Sequence, residues 1–319
     1  MARWRLRLAA CALTLALAAC MTPQKTPVPA TPSLSSTGPA NDATPTSAAI
    51  RTHYAQVQAA LLSEGLLRTD TAPQDALYSA RNLTDNFLRI ALFEEYAGGH
   101  VTRRSTETPI SLLRWQDPVR VALRFGNAVP EMQQSADRGR VASYLARLAD
   151  VTGHDIGLSE LAPNFWVYIA SVDDRANLSS ALNAEIPGLT VGQMQSVTQM
   201  DPGTYCQVLT QSDAASSTYV RAVAVIPAEH PDLMRLACIH EELAQSLGLP
   251  NDSNTARPSI FNDDQEFAFL TRQDEMMLRI LYDRALYPGM TRAVARPVVE
   301  ALANVLMDGE TAAQNRAKR

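Results

Sequence analysis

The chain has few cysteines, no long apolar run, no internal repeat and no excess of basic charge, and each shortage narrows its possible roles. It has four cysteines in 319 residues. The two farthest along, Cys206 and Cys238, are too far apart in sequence to form a zinc site without further ligands. A membrane-spanning helix needs about 20 consecutive apolar residues. The stretch from Leu8 to Ala19 is too short to cross a bilayer as a mature helix. No repeat period points to a solenoid or propeller. Lysine and arginine number 28 against 33 aspartate and glutamate, a formal charge of −5. A chain of this sign is a poor partner for nucleic acid and for anionic lipid.

The sequence opens with a basic segment carrying Arg3, Arg5 and Arg7, followed by the apolar stretch, which is the anatomy of a signal peptide over residues 1–19. Its end, Leu17-Ala18-Ala19-Cys20, resembles the bacterial lipobox, in which small residues precede a cysteine that is acylated and becomes the new N-terminus. That resemblance implies lipidation at Cys20, membrane attachment through the lipid, and a periplasm-facing outer-membrane lipoprotein, since Met21 stands where an inner-membrane retention signal would show Asp. Loss of the three arginines moves the formal charge from −5 to −8. With Cys11 removed in the signal and Cys20 taking the lipid, Cys206 and Cys238 are the remaining thiols, and in an oxidising compartment they read as one disulfide. Residues 20–48 are rich in Pro, Thr, Ser and Ala with scarcely a large apolar side chain. They form a disordered tether with a typical span of ~30 Å.

Residues 49–305 then read as a single α+β domain, with 306–319 as a disordered tail. Helices are expected over about 48–67, with Ser47 as cap, over 83–96, and over 131–151, closed by Gly153. Alternation through Val119, Val121, Leu123 and Phe125 predicts a strand. So do the apolar run Phe165–Ala170, the segment 205–211 carrying Cys206, and the β-branched run Tyr219–Ile226. A short helix or insertion is expected near 174–184. A further helix over about 231–247 ends at Gly248.

That last helix carries Cys238-Ile-His240-Glu241-Glu242-Leu-Ala-Gln245-Ser-Leu-Gly248-Leu-Pro-Asn251-Asp252. In the zincin pattern His-Glu-x-x-His, the residue four beyond His240 is Ala244, which offers no ligand atom. Shifted by one residue, the spacing of the metzincin signature H-E-x-x-H-x-x-G-x-x-H falls on Glu241, Glu242, Gln245, Gly248 and Asn251. Positions i and i+4 share a helix face, and the glycine lets the chain turn to bring a third group over. Downstream, Phe261 lies near the place of the metzincin methionine, and Leu270–Asp283 is similar to the closing helix. Residues of about 115–290 therefore resemble a metzincin core of the matrixin type, a zincin-like mixed sheet with packed helices, here with added N- and C-terminal helices. Trp115–Val121 and Cys238–Asp252 also resemble a proteobacterial lipoprotein family of unassigned function.

The resemblance implies ligand positions at Glu241, Gln245 and Asn251 and a general base at Glu242. Of the three ligand positions only Glu241 offers a charged donor, and the amide oxygens of the others suit zinc poorly. No cofactor is therefore expected, and the domain reads as a pseudoprotease that binds an envelope peptide, protein or glycan. The alternative is a hydrolase that uses Glu242 as base, with or without an oxygen-ligated divalent cation. Glu241, Gln245 and Asn251 can equally form a hydrogen-bonded polar knot. His240, about 100° around the helix from Glu241, reads as a packing residue, and Asp252 as a loop-steadying one. Asp263, Asp264 and Glu266 read either as an acidic loop or as further oxygen donors.

Overall fold

The computed structural model describes residues 44–94 and 108–317. The expected signal peptide, Cys20 and nearly all of the expected tether lie outside the described residues. The fold is mixed α+β.

A five-stranded sheet is its centre, built from β3 (Val119–Phe125), β4 (Ile156–Leu158), β5 (Phe165–Ala170), β6 (Gln207–Asp213) and β7 (Thr218–Pro227), in the order β4-β3-β5-β7-β6. All pairings are parallel except β6 with β7, so β6 is an antiparallel edge strand. Both faces of the sheet are covered, which is why β5 and β7 are runs of apolar residues rather than alternating ones. On one face, Val121, Val167 and Ala224 meet α3 (Glu131–Thr152), α7 (Asp232–Gln245) and α8 (Arg272–Leu281). On the other, Trp166, Tyr168 and Val223 pack on Leu178, Leu182 and Val197, which come from α5 (Ser179–Glu185), α6 (Val191–Thr198) and the turn before α5. The short helix α4 (Val172–Arg175) follows β5 directly.

Several boundaries differ from those expected, each for a tertiary reason. Helix α1 starts at Pro45, because Thr44 accepts the Ser47 N–H and proline suits the first turn. Ser47 is thus inside the helix, and its hydroxyl donates 2.8 Å to Glu229. Helix α2 (Ala80–Ile90) ends before Tyr96, since Phe93–Glu94 (β1) leaves it to pair with Thr108–Pro109 (β2). Cys206 immediately precedes β6 instead of lying within it. The expected disordered tail is helical as far as Ala317: α9 (Arg292–Ala317) packs on α2, buries Leu306 and Met307 partly against the core, and pairs Glu310 with Arg272 at 3.2 Å.

Candidate functional site

Helix α7 carries the motif. Its N-terminal residue, Pro231, offers no side-chain cap, and Gln58 of α1 supplies one by accepting the Met234 N–H at 3.1 Å. Arg235 and Asp137, both buried, join α7 to α3 through a 2.8 Å charge-assisted bond. The helix ends under Trp115, whose indole N–H donates to the Ser246 carbonyl, and Gly248 follows with φ +125°.

This anchoring presents Glu241, Glu242 and Gln245 to a cleft of about 530 Å3. The opposite wall is the edge strand, with Cys206 to Thr210 along it. Asp252, Asp263, Asp264 and Glu94 add carboxylates, while Leu61 of α1 and Gln193 and Ser196 of α6 close the ends. Among the described residues the lining of the cleft is polar and acidic. A disulfide ties the two sides together, joining Cys206, just ahead of the rim strand, to Cys238 on α7. The pairing is the one expected from the sequence.

The residues singled out by spacing divide into two groups. Gln245 donates 2.9 Å to Asp252, and both face the cleft beside Glu241 and Glu242. Asn251 does not join them. It is buried, its amide donates to the Arg89 carbonyl at 3.1 Å, and its N–H donates to the Ile90 carbonyl, so it terminates α2. His240 is held away from the cleft. It stacks on Tyr144 at 3.9 Å between ring centroids, and its Nδ1 accepts the Leu270 N–H. Burial, with Arg147 nearby, pushes its pKa down to about 3. Glu266 is engaged by Arg68 and Arg257 at 3.1 and 2.7 Å, leaving Asp263 and Asp264 as the acids of that loop that reach the cleft. Phe261 is buried in the core.

The zinc implied by the resemblance does not fit this donor set. Asn251 is buried and is not among the residues lining the cleft, and Gln245 offers only a neutral oxygen, so Glu241 is the one charged donor of the three positions.

Sequence reasoning missed α6 and the part α1 plays in the cleft. Thr190 and Gln193 form a capping box at the start of α6, a signal readable three residues apart in the sequence. Nothing local marks Leu61 as a cleft residue.

The class of protein that emerges is an α+β domain with an acidic cleft between a sheet edge and a helix. The chain belongs to DUF2927, a family of proteins of unknown function, whose model matches residues 80–301. No curated protein and no solved structure matches the chain.

Proposed function

We propose that the domain is a binding module for an extended, basic peptide segment, carried in the cell envelope by a lipid on Cys20. The observation that carries this reading is the pairing of an edge strand with an acidic wall across one cleft. The outer edge of a terminal strand offers main-chain N–H and C=O groups to a further strand, which gives affinity without sequence preference. The facing carboxylates of Glu241, Glu242 and Asp252 then select lysine or arginine side chains. As in the metzincin resemblance, a helix presents i and i+4 side chains to the cleft, with the ligand chemistry replaced. A second reading, hydrolysis with Glu242 as general base, draws on its burial to 4 % exposure at the cleft wall.

The test is calorimetric titration of unstructured basic, neutral and acidic peptides into the domain. Basic peptides bind, the affinity falls with added salt, and Glu241→Gln and Glu242→Gln each weaken it at least about fivefold. Equal binding of acidic peptides, or affinity unchanged in both variants, refutes the reading. Peptide cleavage that Glu242→Gln abolishes favours the second one.

A further inference from the structure

The cleft disulfide has two unlike sulfurs. Cys206 is partly exposed and lines the cleft, whereas Cys238 is 3 % exposed and faces inward. Behind Cys238 lies His230, with Nδ1 3.9 Å from the Cys238 sulfur. The imidazole is 1 % exposed and held edge-on by Tyr54 at 4.2 Å, with Tyr205 at 6.4 Å.

We propose that the Cys206–Cys238 disulfide is a site of thiol–disulfide exchange, attacked at the Cys206 sulfur from the cleft by a dithiol, with Cys238 as the leaving sulfur received by His230.

Access sets the direction of attack, because exchange requires a thiolate to reach one sulfur and expel the other. Only Cys206 is open to the cleft. In the first step the dithiol's thiolate forms a new S–S bond to Cys206, and the Cys206–Cys238 bond breaks with its electron pair on Cys238. In the second step the reductant's other thiolate closes its own disulfide and expels Cys206. Two electrons pass from the dithiol, which is oxidised, to the protein disulfide, which is reduced. The two protons released by the dithiol end on Cys206 and Cys238.

His230 favours the reduced product. Burial, with Arg175 and Arg235 nearby, holds its pKa down to about 3, so at neutral pH the ring is uncharged. Its Nε2 is buried with no hydrogen-bond partner among the described residues, so its polar contact is the one to Cys238. A disulfide sulfur is a poor partner for an imidazole, whereas a thiolate accepts from Nδ1–H and a thiol donates to bare Nδ1. The histidine therefore interacts more strongly with the reduced form, which is the differential contact that shifting an equilibrium requires.

The consequence falls on the cleft. The bond fastens the residue just before β6 to α7 one turn before Glu241 and Glu242. Its reduction releases the edge strand from the acidic wall and weakens peptide capture. This last step rests on the binding role proposed above; the exchange chemistry does not.

The experiment uses the oxidised full chain without denaturant. A limiting monothiol, glutathione, is added, the reaction is quenched with acid, free thiols are alkylated, and adducts are located by peptide mass spectrometry. The adduct is expected on Cys206, with the alkylated thiol on Cys238, in at least about tenfold excess over the reverse. Equal labelling of both cysteines, an adduct mainly on Cys238, or reduction that occurs only after unfolding overturns the proposal. Basic-peptide titration before and after dithiothreitol then separates the two ideas. Loss of affinity on reduction supports the cleft consequence, and unchanged affinity overturns it. Peptides that bind neither form defeat the binding role, while the Cys206 adduct still decides the exchange.

Discussion

Gly248 has φ +125°, and a Cβ there would stand 2.2 Å from the Leu113 carbonyl oxygen and 3.1 Å from Leu281. The first neighbour is backbone and cannot swing aside, so both conformation and space demand glycine. Gly248→Ala should destabilise the domain by about 2–4 kcal/mol, read as a lower urea midpoint at unchanged slope. A loss below about 0.5 kcal/mol would show that the backbone at Leu113 yields. The sequence spacing identifies this glycine correctly as a turn residue, yet the same spacing misassigns Asn251. Positions i and i+4 within a helix are fixed by helical geometry, so Glu241 and Gln245 share the cleft as expected. Beyond the helix end the path is set by partners distant in sequence, here the last carbonyls of α2, which take the Asn251 amide. His240 shows the converse. Its angular offset from Glu241 already directs it to packing, and Tyr144 and Phe269 are the rings it meets.

Among the elements, β3, β5 and β7 are readable because burial on one or both faces leaves a period or an unbroken apolar run. Helix α9 is not, because the contacts that order its last turns, Leu306 and Met307 on the core and Glu310 on Arg272, are invisible locally. Helix α1 lies ahead of the segment matched by the family model, yet it is structurally part of the domain. Ser47 bonds the buried Glu229, Tyr54 covers His230, Gln58 caps α7 and Leu61 reaches the cleft. The capping role is the most easily isolated. Pro231 gives the α7 N-terminus no acceptor of its own, so the Met234 N–H depends on a side chain from another helix. Gln58→Ala should cost about 1 kcal/mol and speed amide exchange in the first turn of α7 relative to its last. Equal change at both ends of α7 would mean that Gln58 acts through general packing rather than as a cap.

At the scale of the whole molecule, four buried groups among the described residues push the acid response in opposite directions. Burial pushes His230 and His240 down to about 3, and it pushes Asp274 up to about 6 and Glu185 up to about 7. Between about pH 4.5 and 6 the unfolded chain holds protons on both imidazoles that the native state lacks. Over the same range the native state holds protons on both acids that the unfolded chain lacks. Stability changes with pH in proportion to the difference in bound protons, so the four contributions nearly cancel and a plateau results. Below about pH 4 the unfolded carboxyls become protonated as well, so the acids oppose the histidines less and less. Stability then falls toward pH 3, by less than two protons' worth per pH unit because the native imidazoles begin to protonate there too. Carboxylates held low by arginine, such as Asp232 beside Arg235, add to that loss. Glu185→Gln tests the balance directly, because a glutamine oxygen still accepts from the Tyr168 hydroxyl, which donates to Glu185 at 2.6 Å. With one opposing group removed, stability should decline on acidification from pH 6.5 to 4.5 by about 1 kcal/mol per unit, where the parent chain is nearly flat. Urea denaturation at half-unit steps from pH 3 to 8 measures both curves. A parent chain that loses stability steadily from pH 7 downward, or a variant that keeps the plateau, would remove Glu185 from the balance and leave the acid response to the surface carboxylates.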